Sequence, residues 1–321
     1  DLGIKNAQLK IDDGGALPFV IMARIEAAVK MAHPTLKKDA LPEFEKHAQY
    51  STTRDRFRRS RLYLPGNQPK LMLNAGIHKP DGIILDLEDA VAPAEKFSAR
   101  LIVRNALRVL DFFGSERMVR INQGELGLQD IDAIAAHNVH VILVPKVESA
   151  EQIKAVDARI QKICRGGPLC PPSKGTIYLM PIIESARGML NALSIAIASK
   201  NIAAIGIGLE DYTADIGVQR TTEGRESFFA RSMVVNAARA AGVQAIDTVF
   251  SDVNDTQGLL DSVLEAKSLG FDGKGCIHPR QIRTIHEGFA PAQVEIEKAL
   301  AIVFAFDEAQ KKGLGVVSLG S

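Results

Sequence analysis

Residues 176–211, TIYLMPIIESARGMLNALSIAIASKNIAAIGIGLED, hold one full repeat of the pattern that decides the fold. Thr176–Ile183 is an apolar run, rich in aliphatic and β-branched residues and followed at once by Glu184. Ala186–Ser199 has apolar residues at a period near 3.6. Ala203–Gly208 is a second apolar run, followed by Leu209, Glu210 and Asp211. Strand, helix and strand in that order predict two parallel strands joined by a right-handed crossover.

The same alternation extends to both sides. Further apolar runs lie at Arg61–Pro65, Gly82–Leu87, Met118–Ile121, Val139–Pro145, Gln244–Val249 and Gly273–Ile277. Helical periodicity marks Ala94–Leu110, Ala150–Ile163, Glu223–Ala241 and Thr256–Leu269. Eight strands in roughly 230 residues match an α/β chain folded as a (β/α)8 TIM barrel. A doubly wound sheet would call for a Gly-rich phosphate loop after its first strand, and neither GxGxxG nor GxxxxGK[ST] is present.

Composition narrows the function classes. Among 321 residues, 39 basic against 38 acidic side chains leave a net charge of +1, so no global field recruits nucleic acid or an anionic membrane. With 46% apolar and 24% charged residues the chain is globular, and without Trp its core is aliphatic. No run of about 18 apolar residues predicts a membrane span. Three cysteines, Cys164, Cys170 and Cys276, without CxxC, suit a reducing compartment. A cytoplasmic protein is expected. The chain begins without Met, and residues are expected to be missing from its front.

Three regions are expected. Residues 1–57 form an N-terminal extension: a helix over 17–32 with Phe19, Met22, Ile25, Ala28, Val29 and Ala32 on its apolar face, then a polar linker. That linker ends in a basic run, Arg54, Arg56, Arg58, Arg59 and Arg61, read as a solvated face or a phosphate contact. Residues 58–289 form the barrel. Residues 290–321 form a C-terminal helix, with Ile296, Leu300, Val303 and Phe304 on one side, and the start of a lid.

In a TIM barrel the chemistry sits at the carboxyl ends of the strands. There the sequence places Asp86, Glu88 and Asp89, then Arg120, Lys146 and Glu148, then Glu184, Glu210 and Asp211, and finally Asp247, Asp252 and His278. Carboxylates converging from several strands suit a hard divalent cation, Mg2+, which takes one or two protein carboxylates. Glu184 and Asp211 follow adjacent strands and are the expected ligands. Glu88, Asp89 and Glu210 would stand behind them and hold water. Arg120, inside an apolar strand, needs an anionic partner: a substrate carboxylate, or Asp86 or Glu88. Lys70, after the turn at Gly66-Asn67, is a candidate phosphate contact.

The segments RSRLYLPGNQPK (59–70), GIILDLEDAVAPAEKFSAR (82–100), MVRIN (118–122), LVPKVES (143–149), LMPIIESARGMLN (179–191), GIGLEDYTADIG (206–217), QAIDTV (244–249) and GKGCIHPRQI (273–282) together resemble the citrate lyase beta subunit family, with its malyl- and citramalyl-coenzyme A lyases. The resemblance implies a Mg2+-dependent lyase acting on an acyl thioester of coenzyme A or of an acyl carrier protein. It puts the metal-binding Glu on Glu184, the metal-binding Asp on Asp211 and the substrate-gripping, catalytic Arg on Arg120. Coenzyme contacts fall on Tyr63, Lys70, Ile277 and His278. It also implies a homo-oligomer, a trimer or larger, with other lyase subunits as partners.

The family's lid carries a Met-Ile/Val-Asp motif whose Asp is a catalytic acid; Ser321 falls short of that motif, and the natural chain is expected to continue. Residues 9–28 resemble the C-terminal end of the citrate lyase gamma subunit, an acyl carrier. Residues 1–50 contain no Ser to hold a prosthetic group, so a carrier remnant here cannot carry. Two other functions fit the same residues: a metal-dependent pyruvate-type aldolase on free hydroxy-oxo-acids, and a catalytically silent structural subunit of a lyase complex.

Overall fold

The computed structural model describes residues 10, 14–166, 175–311 and 313. Its strands are β1 (Ser60–Pro65), β2 (Gly82–Asp86), β3 (Glu116–Arg120), β4 (Val141–Val144), β5 (Tyr178–Ile183), β6 (Ala204–Ile207), β7 (Gln244–Asp247) and β8 (Gly273–Cys276). All pair in parallel in chain order, and β8 returns to β1 to close the barrel. Each overlaps a run read from the sequence. Apolar residues on both faces permit this, because a barrel strand meets helices outside and side chains inside. The interior is filled by Ile84, Met118, Val141, Leu143, Met180, Ile182, Ala204 and Ile246, with Tyr63 packed against them.

The helices are α1 (Pro18–Ala32), α2 (Pro69–Leu73), α3 (Lys96–Val109), α4 (Gly124–Ile134), α5 (Ala150–Gly166), α6 (Ala186–Leu190), α7 (Ala192–Ala196), α8 (Leu209–Asp215), α9 (Arg225–Ala241), α10 (Thr256–Leu269), α11 (Arg280–Phe289) and α12 (Gln293–Lys311). The single helix expected over Ala186–Ser199 is two. Asn191 breaks it, with φ −100 and ψ 6, and donates its side-chain amide to the Glu148 carbonyl at 2.9 Å. Asn competes for local hydrogen bonds in this way and disfavours a helix interior.

The N-terminal extension corrects two expectations. Helix α1 forms, but it buries Phe19, Val20, Ala23, Glu26 and Ala27, while Ala28 and Ala32 are exposed. A charge sets that face: Arg104 on α3 donates to both Glu26 oxygens, at 3.0 and 2.7 Å. The stretch that follows is no loose linker. Arg108 grips the Pro42 carbonyl at 2.6 Å, and Arg117 grips those of Ala48 (2.6 Å) and Tyr50 (2.8 Å).

The basic run is neither a solvated face nor a phosphate contact. Arg58 is buried on Glu116 at 2.7 and 2.8 Å, and Arg59 holds Asp81 at 2.9 and 3.0 Å. Arg54 caps the Lys200 carbonyl at 2.6 Å, Arg56 reaches the Asp81 and Gly114 carbonyls at 3.3 and 3.2 Å, and Arg61 points into the barrel. Arg58 also donates to the Thr53 and Arg54 carbonyls, at 3.2 and 2.9 Å, and so ties the extension to the amino ends of the strands, opposite the end where TIM-barrel chemistry occurs. Cys276 is buried, and Cys170 lies outside the described residues.

Candidate active site

A cavity of about 420 Å³ opens at the carboxyl ends of the strands. Tyr63, Asp89, Arg120, Glu184, Glu210, Asp211 and Ile277 line it, together with Arg61 and Asp86. Most of the residues expected from sequence therefore meet in one place. Lys70 is exposed on the short helix α2 and does not line the cavity. His278 lies just beyond Ile277; its Nδ1 accepts from the Arg280 N–H at 3.1 Å, at the start of α11.

Arg120 ends β3 and is braced by the end of β2. Its Nε and Nη2 donate to the two Asp86 oxygens at 2.7 and 2.6 Å, and Nη1 lies 3.0 Å from Glu88 Oε2. The last contact is Coulombic, because Oε2 makes no hydrogen bond of good geometry. Asp86 also accepts the Glu88 and Ala90 N–H groups at 3.0 and 3.2 Å, which folds the loop around it. The Arg120 guanidinium stands 5.4 Å from the Tyr63 ring centroid. Its fork is thus already held by Asp86.

Lys146, which sequence reading left without a role, sits at the centre. Its backbone is left-handed, φ 49, and its N–H donates to Glu184 Oε2 at 2.9 Å. Its ammonium lies 3.5 Å from Asp211, 3.8 Å from Glu88 and 3.9 Å from Asp89. Burial would lower its pKa, but those carboxylates raise it above the usual lysine value. Nothing local in Pro145-Lys146-Val147 signals this; the residue becomes central only when four strand ends converge.

Glu184 is buried, and desolvation, followed by the charges of Glu88 and Asp211, pushes it up to about 8 against the opposing pull of Arg120 and the Lys146 N–H. Gly208 makes room for it: a Cβ there would stand 2.4 Å from Glu184 Oε1. Asp211, in the first turn of α8, is half-buried and faces the same space. Glu210 pairs with Arg220, and Gln123 donates to Glu88 Oε1 at 2.9 Å. Lys96 pins the β2 loop through the Leu87 and Glu88 carbonyls at 3.0 and 2.9 Å. Asp247 turns away from the site to Arg231 (3.0 Å) and Lys274 (2.9 Å).

Residues 59–279 match the profile of HpcH/HpaI aldolase/citrate lyase. The chain belongs to this family. The citrate lyase subunit beta of Haemophilus influenzae is 43% identical over 266 residues, 82% of this chain and 90% of that one. The mitochondrial citramalyl-CoA lyase of Mus musculus is 34% identical over 270 residues, 80% of this chain and 79% of the other. A Mycobacterium tuberculosis family member, the protein CitE solved with magnesium, acetoacetate and coenzyme A, superposes with a TM-score of 0.65 at 30% identity; the match covers 80% of this chain and 89% of that one. Residues 1–32 match a second profile, Malonate decarboxylase delta subunit (MdcD).

Proposed function

We propose that this chain is a magnesium-dependent carbon–carbon lyase. It cleaves, or forms, a 3-hydroxy-3-carboxyalkyl thioester of citryl, citramalyl or malyl type, on coenzyme A or an acyl carrier protein, giving an acetyl or related thioester and an oxo-acid. The observation that carries the reading is the buried Glu184 facing Asp211 across one cavity, with Arg120 fixed beside them. The relatives named for citrate and citramalyl-CoA cleavage, and the neighbour solved with magnesium and coenzyme A, support it.

The residues fit the metal. Burial and neighbouring carboxylates disfavour the Glu184 anion so strongly that a cation beside it and Asp211 would be welcome. Magnesium takes one or two protein carboxylates and fills its shell with water and substrate oxygens. Glu184 and Asp211 would hold it, with Glu88, Asp89 and Glu210 holding its water. Bound there, magnesium supplies Lewis acidity that makes the substrate hydroxyl easier to deprotonate.

The chain's own groups do the rest. Arg120, held in place by Asp86, offers a fixed cationic edge to the oxo-acid carboxylate and to charge developing on the thioester. Tyr63 and Ile277 would flank the acyl thioester, and Lys70 and His278 would meet the coenzyme where it leaves the mouth. We assign residues 58–289 to catalysis and 1–57 to an extension whose front derives from an acyl-carrier module. Within the region 290–321, α12 ends at Lys311, and the expected start of a lid lies outside the described residues. Exposed Leu300, Val303 and Phe304 on α12 support a homo-oligomer, a trimer or larger, alone or with other lyase subunits. No helix among the described residues is long and apolar enough to cross a membrane. Three cysteines without CxxC support our placing the protein in a reducing compartment, the cytoplasm.

The test is oxo-acid release from citryl-, citramalyl- and malyl-thioesters with and without magnesium. Metal-dependent turnover of at least one is expected, together with a higher melting temperature in coenzyme A. Silence on all three rejects the proposal. Turnover of free hydroxy-oxo-acids without any response to coenzyme A favours the aldolase instead.

A further inference from the structure

Arg61 lies on β1 two residues before Tyr63 and shares its inward face, so it sits one layer deeper in the barrel. It is 3% exposed yet lines the same cavity. Its guanidinium is poorly satisfied. Nη1 meets the Met180 sulfur at 3.2 Å, Nη2 reaches the Asp247 carbonyl only at 3.5 Å, and Nε has no partner. Among the described residues no carboxylate pairs with it. The Asp247 side chain is engaged by Arg231 and Lys274.

Other buried arginines are better satisfied. Arg58, Arg100, Arg104 and Arg231 each hold a carboxylate, on Glu116, Asp130, Glu26 and Asp247. Arg108 and Arg117 hold none, but Arg108 donates to the Pro42 carbonyl at 2.6 Å and Arg117 to the Asn138, Ala48 and Tyr50 carbonyls at 2.6, 2.6 and 2.8 Å. A buried charge without a counter-ion or well-placed acceptors is destabilising, so one or the other would be expected beside Arg61 if the residue served only the fold. Burial pulls its pKa down to about 10, which still leaves it a cation at neutral pH. The cavity that Arg61 lines is open elsewhere: a Cβ placed on Gly206, another cavity residue, would have no neighbour closer than 3.8 Å. Tyr63 stands between the two arginines, and its phenol feels the charge of Arg120 and of Arg61.

We propose that Arg61 forms an anion subsite at the floor of the cavity that receives the far carboxylate of the oxo-acid half. The enzyme then selects substrates that release a dicarboxylic 2-oxo acid over those that release a monocarboxylic one. The inference rests on the lyase reading for the substrate's orientation: the near carboxylate would meet Arg120 and the cation that Glu184 and Asp211 would hold at the mouth, and the far one descends past Tyr63. A planar fork with free N–H groups suits a carboxylate.

The experiment is calorimetric titration of oxaloacetate and of pyruvate, with magnesium, into the full chain and its Arg61→Met and Arg61→Lys variants. The wild type should prefer oxaloacetate by on the order of 10- to 100-fold. Arg61→Met should bring that ratio close to one, chiefly by weakening oxaloacetate, and Arg61→Lys should fall between. The melting temperature of Arg61→Met should hold or rise, because an unpaired buried charge is replaced by an apolar chain of similar length. A wild type without the preference, including one that binds neither acid, overturns the proposal. So does a variant that melts lower while keeping the ratio, since that marks a structural arginine. Selective binding by a protein that turns over no thioester would reject the lyase reading yet keep the subsite.

Discussion

The main-chain N–H of Lys146 donates to Glu184 Oε2 at 2.9 Å from a left-handed backbone, φ 49. The same residue's ammonium lies 3.5 Å from Asp211. One lysine therefore orients the first carboxylate through its backbone and neutralises the second through its side chain. The two roles can be separated. Lys146→Gly keeps the N–H and relaxes a conformation that glycine adopts freely. It should leave the melting temperature unchanged or slightly higher, and it should tighten magnesium binding by roughly 3- to 10-fold by removing a competing cation. Titration of the metal followed by calorimetry checks this; weaker binding would mean that the ammonium helps to assemble the site.

Glu184→Gln and Asp211→Asn should preserve the barrel and lose magnesium affinity. A Lewis acid contributes several kcal/mol to such a step, so turnover should fall by on the order of 1,000-fold or more. Circular dichroism should be unchanged. Glu184→Gln should also melt no lower than wild type without metal, because it removes a carboxylate that its surroundings disfavour. An enzyme that keeps its rate after either change has its metal elsewhere.

Arg120→Lys keeps a charge but cannot span both Asp86 oxygens, now at 2.7 and 2.6 Å from Nε and Nη2. Asp86 is 1% exposed, so its unmet acceptor should cost about 1–3 kcal/mol of stability. The Michaelis constant for the thioester should rise by roughly 10-fold or more as the cationic edge loses its fixed position. Steady-state kinetics beside a urea melt would separate the two effects.

The Glu26–Arg104 pair gives a pH signature away from the site. Burial alone would raise Glu26, but its hydrogen bonds from Arg104 and Lys30 win and hold it down at about 2, against an ordinary 4.5. A carboxylate depressed in the folded state stabilises the fold above the unfolded value, and that contribution is lost as pH falls. Stability should therefore drop between about pH 4.5 and 2, and Glu26→Gln should flatten that slope. Removing one partner of a buried pair should also cost about 3–5 kcal/mol near neutral pH. Urea denaturation at several pH values tests both.

Deleting residues 1–50 should do more than release a tether. It strips Arg104 of Glu26 and Arg117 of the Ala48 and Tyr50 carbonyls. We expect a melting temperature lower by several degrees, or aggregation, rather than an intact free-standing barrel. A truncated protein that melts like the full chain would show that these contacts are dispensable.

Local pattern was enough for the barrel. Eight apolar runs separated by helical segments left one topology, and the position of Glu184 and Asp211 just after adjacent strands was legible because strand ends are set by short-range sequence. The face of α1 was not legible. Apolar periodicity pointed to Ile25, Ala28 and Val29, whereas Glu26 is drawn inward by an arginine 78 residues further on. The basic run was misread for the same reason: its arginines end on Glu116, on Asp81 and on the carbonyls of Lys200 and Gly114, partners no local window contains.

Strand number, strand order and the crowding of acidic residues at one rim are all written in the linear chain. Which of those acids are taken and which are left was settled in three dimensions. Asp86 is taken by Arg120, 34 residues away, Asp247 by Arg231 and Lys274, and Glu210 by Arg220, while Glu184 and Asp211 meet around Lys146. Hydrophobic periodicity is written within a few residues, but a charge finds its partner through space, and closing the barrel is what brings the eight strand ends within reach of one another.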